Sequence, residues 1–239
     1  MRYCDLTLPT PQENLACDEA LLDLCEDRGG QGILRFWEPT QYFVVVGYAN
    51  AVNTEVNTAF CREHGIPILR RYTGGGTVLQ GPGCLNYSLF LPIESGGPLQ
   101  SISATNDFIL QKHRETLAAL LQAPVQKQGH TDLAIGGLKF SGNSQRRRKN
   151  FLLFHGAFLL DLDISLVEQV LPLPSQQPDY RFSRSHTDFL MNLKTPPHLL
   201  KASLRRAWNA TKPLAQIPFR ETAALIAEKY DREDWNFKF

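Results

Sequence analysis

Ile66–Pro92 reads IPILRRYTGGGTVLQGPGCLNYSLFLP. An apolar run ends in the pair Arg70-Arg71, three glycines follow at 74–76, and Gly81-Pro82-Gly83 precedes a second apolar run. The pattern predicts two strands flanking a glycine-rich loop. Consecutive glycines lose backbone entropy on folding and supply no side-chain packing, so a folded chain carries them for a reason. Either they make a tight, irregular turn, or a bare backbone must approach a ligand and aim N–H groups at it. The adjoining arginines favour an anionic ligand.

Around this stretch the composition is ordinary. The chain has 239 residues, 43% hydrophobic and 21% charged, enough for one large domain with a substantial core. A net charge of +1 gives no electrostatic case for nucleic acid or a membrane surface. The N-terminus lacks a signal-peptide core, and no stretch approaches the roughly 20 apolar residues of a membrane span. Cysteines at 4, 17, 25, 61 and 84 form no pair at metal-ligand or redox spacing. Reduced thiols, a cytoplasmic location and no protein-bound metal are the expectation.

Gln12–Arg28 has helical periodicity, with Cys17, Leu21, Leu24 and Cys25 on one face and Gly29-Gly30 at its end. Ile33–Trp37 and Tyr42–Tyr48 read as strands, the second apolar on both faces. Thr54–Glu63 reads as a short helix. Ser101–Gln122 is the longest helical pattern, with Ile102, Ile109, His113, Leu117 and Leu120 on its core face. Thr131–Ile135 and Leu138–Ser144 form a hairpin around Gly136-Gly137, and Asn150–Asp163 is a further strand. Leu171–Arg184 carries Pro172, Pro174 and Pro178 and reads as a mobile connection or lid. Helices are expected near His198–Asn209 and Arg220–Tyr230. Without strict βαβ alternation, the class is α+β.

A second stretch, Asp132–Lys149, reads DLAIGGLKFSGNSQRRRK. Strand alternation puts Leu138 and Phe140 on one face and Lys139 on the other, beside Ser141. Lys139 is then either a solvated strand lysine or a fixed cation facing a pocket, with Ser141–Ser144 supplying small and polar groups around it. Arg146–Lys149 is a short cationic run, a solvated face or a dock for an acidic protein partner.

RRYTGGGTV, GPGCLNYSL, DLAIGGLKFSGNSQRRR and LLFHGAFLLDLD, in that order, resemble the lipoate–protein ligase and octanoyltransferase superfamily, related to biotin–protein ligases. NLACDEALL and the stretch from RFWEP to VVVGY also fit, so the likeness covers about residues 14–163. It implies an α+β catalytic domain of biotin/lipoate ligase type, with mixed, largely antiparallel sheets flanked by helices, and it is taken to span 1–239. The implied activity is ATP-dependent attachment of lipoate or octanoate, through an acyl-adenylate, to a lysine of a lipoyl carrier domain. ATP and Mg²⁺ are the implied cofactors. On the matching positions Arg70, Gly75, Gly76, Thr77 and Val78 would hold the nucleotide. Lys139 would bridge the acyl carbonyl and α-phosphate, where negative charge develops. Gly74, Asn86, Asp132, Asn143 and His155 would line the substrate side.

Departures from the family pattern refine this. Gln80 stands where a histidine is common, and cannot titrate. Gln80-Gly81-Pro82-Gly83 is similar to an octanoyltransferase stretch, yet neither position used by the transferases for a thioester cysteine holds one: 126–131 reads QKQGHT, and 164–239 has no cysteine. That favours the ATP-dependent ligase over a transferase between carrier proteins; a non-catalytic homologue that binds the acyl chain or the carrier is the third reading. About 75 residues follow Asp163, fewer than a further ligase domain needs. The chain is therefore expected to act alone or with a separate small accessory subunit.

Overall fold

The computed structural model describes residues 1–239, beginning with β1 (Arg2–Asp5) and α1 (Pro11–Arg28). A reciprocal cap starts α1: Thr10 accepts from the Glu13 N–H, and the Glu13 carboxylate accepts from the Thr10 N–H at 2.7 Å. Gly29, at φ +65°, ends it. There follow β2 (Ile33–Trp37), β3 (Phe43–Val46), α2 (Val52–Glu55), α3 (Thr58–Glu63), β4 (Ile68–Arg70), β5 (Val78–Gln80) and β6 (Cys84–Pro92). After α4 (Ile102–Leu121) come β7 (Gln126–Gln128), β8 (Asp132–Ile135), β9 (Leu138–Arg147) and β10 (Phe151–Leu159). The C-terminal third holds α5 (Ile164–Val170), α6 (His186–Phe189), α7 (Pro197–Ala207), β11 (Lys212–Pro213), α8 (Phe219–Leu225) and α9 (Glu233–Asn236).

These strands form an eight-stranded sheet in the order β11-β1-β2-β6-β10-β9-β8-β7 and a three-stranded sheet, β4-β3-β5. The β11-β1, β1-β2 and β3-β4 pairs are parallel and the rest antiparallel, giving the expected mixed, largely antiparallel α+β class. No helix is long and apolar enough to cross a membrane.

Alternation along the central strands sorts side chains to two faces. Leu34, Phe36, Tyr87, Leu89, Phe154 and Phe158 turn toward α4 and α7 and pack with Ile109, Leu117, Leu200 and Leu204. Ile33, Phe90 and Leu153 turn the other way, against Cys17, Leu21 and Leu22 of α1. Arg35 also points to α1, where it pairs with Asp18 at 2.6 Å and bonds Asn14 Oδ1 at 2.7 Å, so a buried charge sits in a closed set of partners. The residues after 163 are integral: β11 extends the large sheet and α7 packs on α4.

Several expectations change. The helix expected over 54–63 is two short helices separated at Val56-Asn57. Ile102 is 60% exposed rather than on the core face of α4, and Leu110 occupies the core instead. Leu171–Arg184 runs along the surface, with Phe182 82% exposed, but is tied down at a few points. Arg181 within it is buried and stacks on Phe189 at 4.8 Å, and Arg184 donates to Gly137 O at 3.0 Å. A single 3-10 turn, Asp179–Arg181, follows Pro178 within this segment.

His113 is a core residue, as expected. It is fully buried, and its Nε2 accepts from Trp208 Nε1 at 2.9 Å. Burial pushes the imidazoles of His113 and His155 down to about 3. Both are then neutral when folded, while an unfolded chain takes up their protons below its ordinary histidine range near 6.5. Stability is therefore full above that range and falls with pH from about 6.5 toward 3, by roughly 1.4 kcal/mol per pH unit per histidine. Urea midpoints at pH 7.5, 6 and 5 should decline in that order, and His113→Gln should flatten the slope.

Candidate active site

The loop after β4 lies across the α1-side face of β9 and β10. Ser144 Oγ donates to Gly74 O at 2.8 Å, and Thr73 Oγ1 bonds His155 Nε2 at 2.8 Å. Ser144 and His155 are cross-strand partners, so both anchors come from one rung of the sheet. A segment around Gly47 supports the loop from the other side: Tyr48 N donates to Thr73 O at 2.9 Å, and Asn50 Nδ2 to Thr77 Oγ1 at 3.3 Å. A Cβ on Gly47 would lie 2.0 Å from Gly75 O, so the two backbones touch only because Gly47 has no side chain. Gly75 itself sits at φ +89°, which glycine adopts freely.

Arg71 shapes this loop from within. Its guanidinium donates to Gly74 O at 3.1 and 2.7 Å and to Gly76 O at 2.7 Å. With those carbonyls turned inward, the N–H groups of Gly74, Gly75, Gly76 and Thr77 donate to no other atom of the chain. Arg71 is 7% exposed and has no carboxylate partner. Burial lowers its guanidinium to about 10, so it stays charged near neutrality. A buried, unpaired cation behind free backbone N–H groups makes an anion-binding surface.

Arg70 departs from expectation. It is completely buried, and its guanidinium donates to the carbonyls of Gly47, Tyr48, Asn50, Trp235 and Asn236 at 2.8–3.2 Å. It joins α9 to the support segment, and each nitrogen of its guanidinium already meets a backbone carbonyl. Thr77 remains at the loop's end, whereas Val78 opens β5, pairs with Val45 and packs beside Trp37 and Phe43.

Lys139 lies on the same face of β9. The turn at Gly136 (φ +58°) and Gly137 (φ +79°) closes the expected hairpin. Beyond it the register slips, with Ala134 opposite Lys139 but Leu133 opposite Ser141. The extra residue is a bulge, and it breaks simple alternation. Ser141 therefore turns into the core, 1% exposed, instead of standing beside Lys139. Gly142 takes that place; a Cβ there would lie 3.0 Å from Lys139 Cε and Nζ. Lys139 Nζ pairs with Asp132 Oδ1 at 2.8 Å, with side chains 24% and 12% exposed. Ser144, two residues on from Gly142, puts the glycine loop roughly 7 Å further along the strand. The lysine and the loop thus flank one groove.

The other candidates are bracing groups. Asn143 Oδ1 accepts from Tyr87 Oη at 2.5 Å, and its Nδ2 donates to Thr131 O at 2.6 Å. Gly156 opposite makes room, since a Cβ there would fall 1.9 Å from Asn143 Oδ1. Asn86 Nδ2 donates to Gln80 Oε1 at 3.0 Å. His155 is neutral and anchors Thr73. Sequence reasoning missed Arg71 as the loop's internal brace and Gly47. The double arginine was the available signal for the first; the second depends on a contact distant in sequence.

All five cysteines are free and buried. Burial pushes the Cys84 and Cys25 thiols to about 12 and Cys17 to about 11. Native protein should therefore react negligibly with a disulfide reagent over minutes, while denatured protein should titrate all five. Fast native release of one equivalent would contradict this packing.

A glycine loop of free N–H groups, a buried cation behind it and a lysine on the same sheet face are the class of chemistry that suits an anionic ligand, carried on a mixed α+β scaffold. The comparisons narrow that class. Residues 10–198 match the lipoyl protein ligase A/B catalytic domain, and the chain belongs to that family of lipoate ligases and octanoyltransferases. It is 27% identical to lipoate-protein ligase A subunit 1 of Thermoplasma acidophilum, over 97% of this chain and 95% of that one. It is 26% identical to the octanoyltransferase LipM of Carboxydothermus hydrogenoformans, over 100% and 98% of the two chains. A crystal structure of lipoate-protein ligase A bound with ATP superposes with a TM-score of 0.84 at 23% identity, covering 99% of each chain. A chain of the bi-partite lipoate protein ligase of T. acidophilum, described with its E2 lipoyl domain, gives 0.85 at 23% identity, over 99% and 95%. The biotin protein ligase of Leishmania major is more distant, at 0.52. The expected fold type and family stand.

Proposed function

We propose that the chain is a lipoate–protein ligase that activates lipoate or octanoate with ATP and passes the acyl group to a lysine of a lipoyl domain. The observation that carries this reading is the burial of every thiol, with Cys84 raised to about 12. A transferase that holds the chain as a thioester needs an accessible thiolate. The groove instead offers cationic and N–H groups suited to a phosphate.

In this reading the carboxylate attacks the α-phosphorus of ATP and pyrophosphate leaves. The target amine then attacks the acyl carbon and AMP leaves, the amine proton going to solvent. The N–H groups of Gly74–Thr77, backed by Arg71, would hold the phosphate, and Lys139, steadied by Asp132, would face the charge that develops between acyl oxygen and phosphorus. No cluster of three or more His, Cys, Asp or Glu side chains suits a metal ion, so Mg²⁺ would come with the phosphates.

The acceptor is proposed by parallel with the T. acidophilum protein. The cationic run is a weaker dock than its sequence suggests, because Arg147 donates to Leu99 O and Thr105 Oγ1 and Arg148 pairs with Asp23 at 2.6 Å. Only Arg146 and Lys149 remain for an acidic partner. The test mixes chain, lipoate, ATP–Mg²⁺ and a lipoyl-domain apoprotein, with and without a candidate accessory subunit. Pyrophosphate release and a lipoyl mass gain on the acceptor support the ligase. Octanoyl transfer from an acyl carrier protein without ATP would replace it with the transferase.

A further inference from the structure

The strap at 171–190 is tied to the lysine strand at several points. Met191 N donates to Lys139 O at 2.9 Å, Leu190 forms a parallel bridge with Lys139, and Arg184 Nη2 reaches Gly137 O and Tyr180 O at 3.0 and 2.8 Å. One tie reaches the site chemistry. Tyr180 Oη donates to Asp132 Oδ2 at 2.8 Å, while Lys139 Nζ holds Oδ1 of the same carboxylate at 2.8 Å. Each oxygen has its own donor, so the carboxylate plane has a single orientation. The tyrosine is seated on Gly129, where a Cβ would fall 3.6 Å from Tyr180 Cε1 and 3.1 Å from Pro178 Cβ. Burial and the Asp132 carboxylate push the phenol up, so it remains a donor throughout the working pH range.

We propose that Tyr180 is a positioning residue for acyl activation, fixing through Asp132 the direction in which Lys139 presents its ammonium. The inference rests on the role of Lys139 proposed above. A lysine has a long flexible stem, and its head is only as well placed as the group that receives it. With one oxygen released, the carboxylate can rotate about its terminal bond and the ammonium follows. Tyr180→Phe removes one hydroxyl and keeps the ring on Gly129.

Two readouts on the full-length chain test this. The first is kcat and KM for the acylation reaction. The second, independent of activity, is the rate at which Lys139 is acetylated by an N-hydroxysuccinimide ester, followed by peptide mass spectrometry. Tyr180→Phe, Asp132→Asn, the double variant and Ser175→Ala are compared; the last frees the strap from Glu55 without touching Tyr180, Asp132 or Lys139. Tyr180→Phe should lower kcat about tenfold at unchanged KM for lipoate and ATP. It should also raise Lys139 labelling several-fold, add nothing in the Asp132→Asn background, and not be mimicked by Ser175→Ala. Wild-type labelling in Tyr180→Phe, full additivity with Asp132→Asn, or the same effect from Ser175→Ala would overturn the proposal. Full activity in Lys139→Ala would instead overturn the functional reading, while the labelling cycle still decides whether Tyr180 holds Lys139.

Discussion

Replacing Lys139 with alanine should slow acyl activation by about 10²–10³-fold, the cost of removing one donor aimed at developing charge. The side chain is 24% exposed and paired with Asp132, so a fixed ammonium faces the groove without being sealed in the core. Substrate KM should change little, since the charge it opposes develops between bound reactants rather than in the free carboxylate. Stability should fall by no more than about 2 kcal/mol, because Asp132 keeps its bond from Tyr180. Arginine should not restore the rate. Gly142 has no Cβ to crowd the lysine head, and a planar guanidinium differs from an ammonium in size and reach, so it would not present its charge at the same point. Single-turnover pyrophosphate release separates this step from later transfer to the acceptor.

Arg70→Ala should behave differently, chiefly as a folding defect. Five backbone carbonyls from the support segment and α9 would lose their common donor. The expected loss is on the order of 4 kcal/mol, a fall of roughly 10 °C in Tm for a chain of this size. Lysine should not rescue it, because one ammonium cannot span carbonyls that arrive from two directions. Activity should fall as well, because the segment at Gly47 touches Gly75 and bonds Thr73. An unchanged Tm with a raised KM for ATP would mean that Arg70 faces the nucleotide after all.

The contrast between Arg70 and Arg71 marks how far the sequence was legible. Adjacent residues at a strand end point to opposite sides. RRYTGGG announced a cation at the loop but could not say which arginine served it. The deciding partners of Arg70, Trp235 and Asn236, lie about 165 residues away. Signals local in the chain fared better. The helix end at Gly29-Gly30 and the Gly136-Gly137 turn each follow from neighbours within a few residues.

Lys139 was legible as a strand lysine opposite Phe140, but its surroundings were not. One inserted residue at the bulge swaps Ser141 for Gly142 beside it, and a bulge has no reliable signature in a single sequence. The strap misled for a related reason. Its prolines break up long helices and strands, yet contacts such as Tyr180 with Asp132 come from tertiary packing that periodicity does not encode.

The route of the acyl group is the central claim, and carboxylate oxygen labelling tests it most directly. Lipoate carrying ¹⁸O in both carboxyl oxygens is incubated with ATP–Mg²⁺, the chain and a lipoyl-domain acceptor, and the AMP formed is weighed by mass spectrometry. If the carboxylate attacks the α-phosphorus, the bridging oxygen leaves with AMP when the amine takes the acyl group. AMP carrying one heavy oxygen, in proportion to lipoylated acceptor, is the expected result. Acceptor acylated from an acyl-protein donor with no labelled AMP would contradict the ligase route.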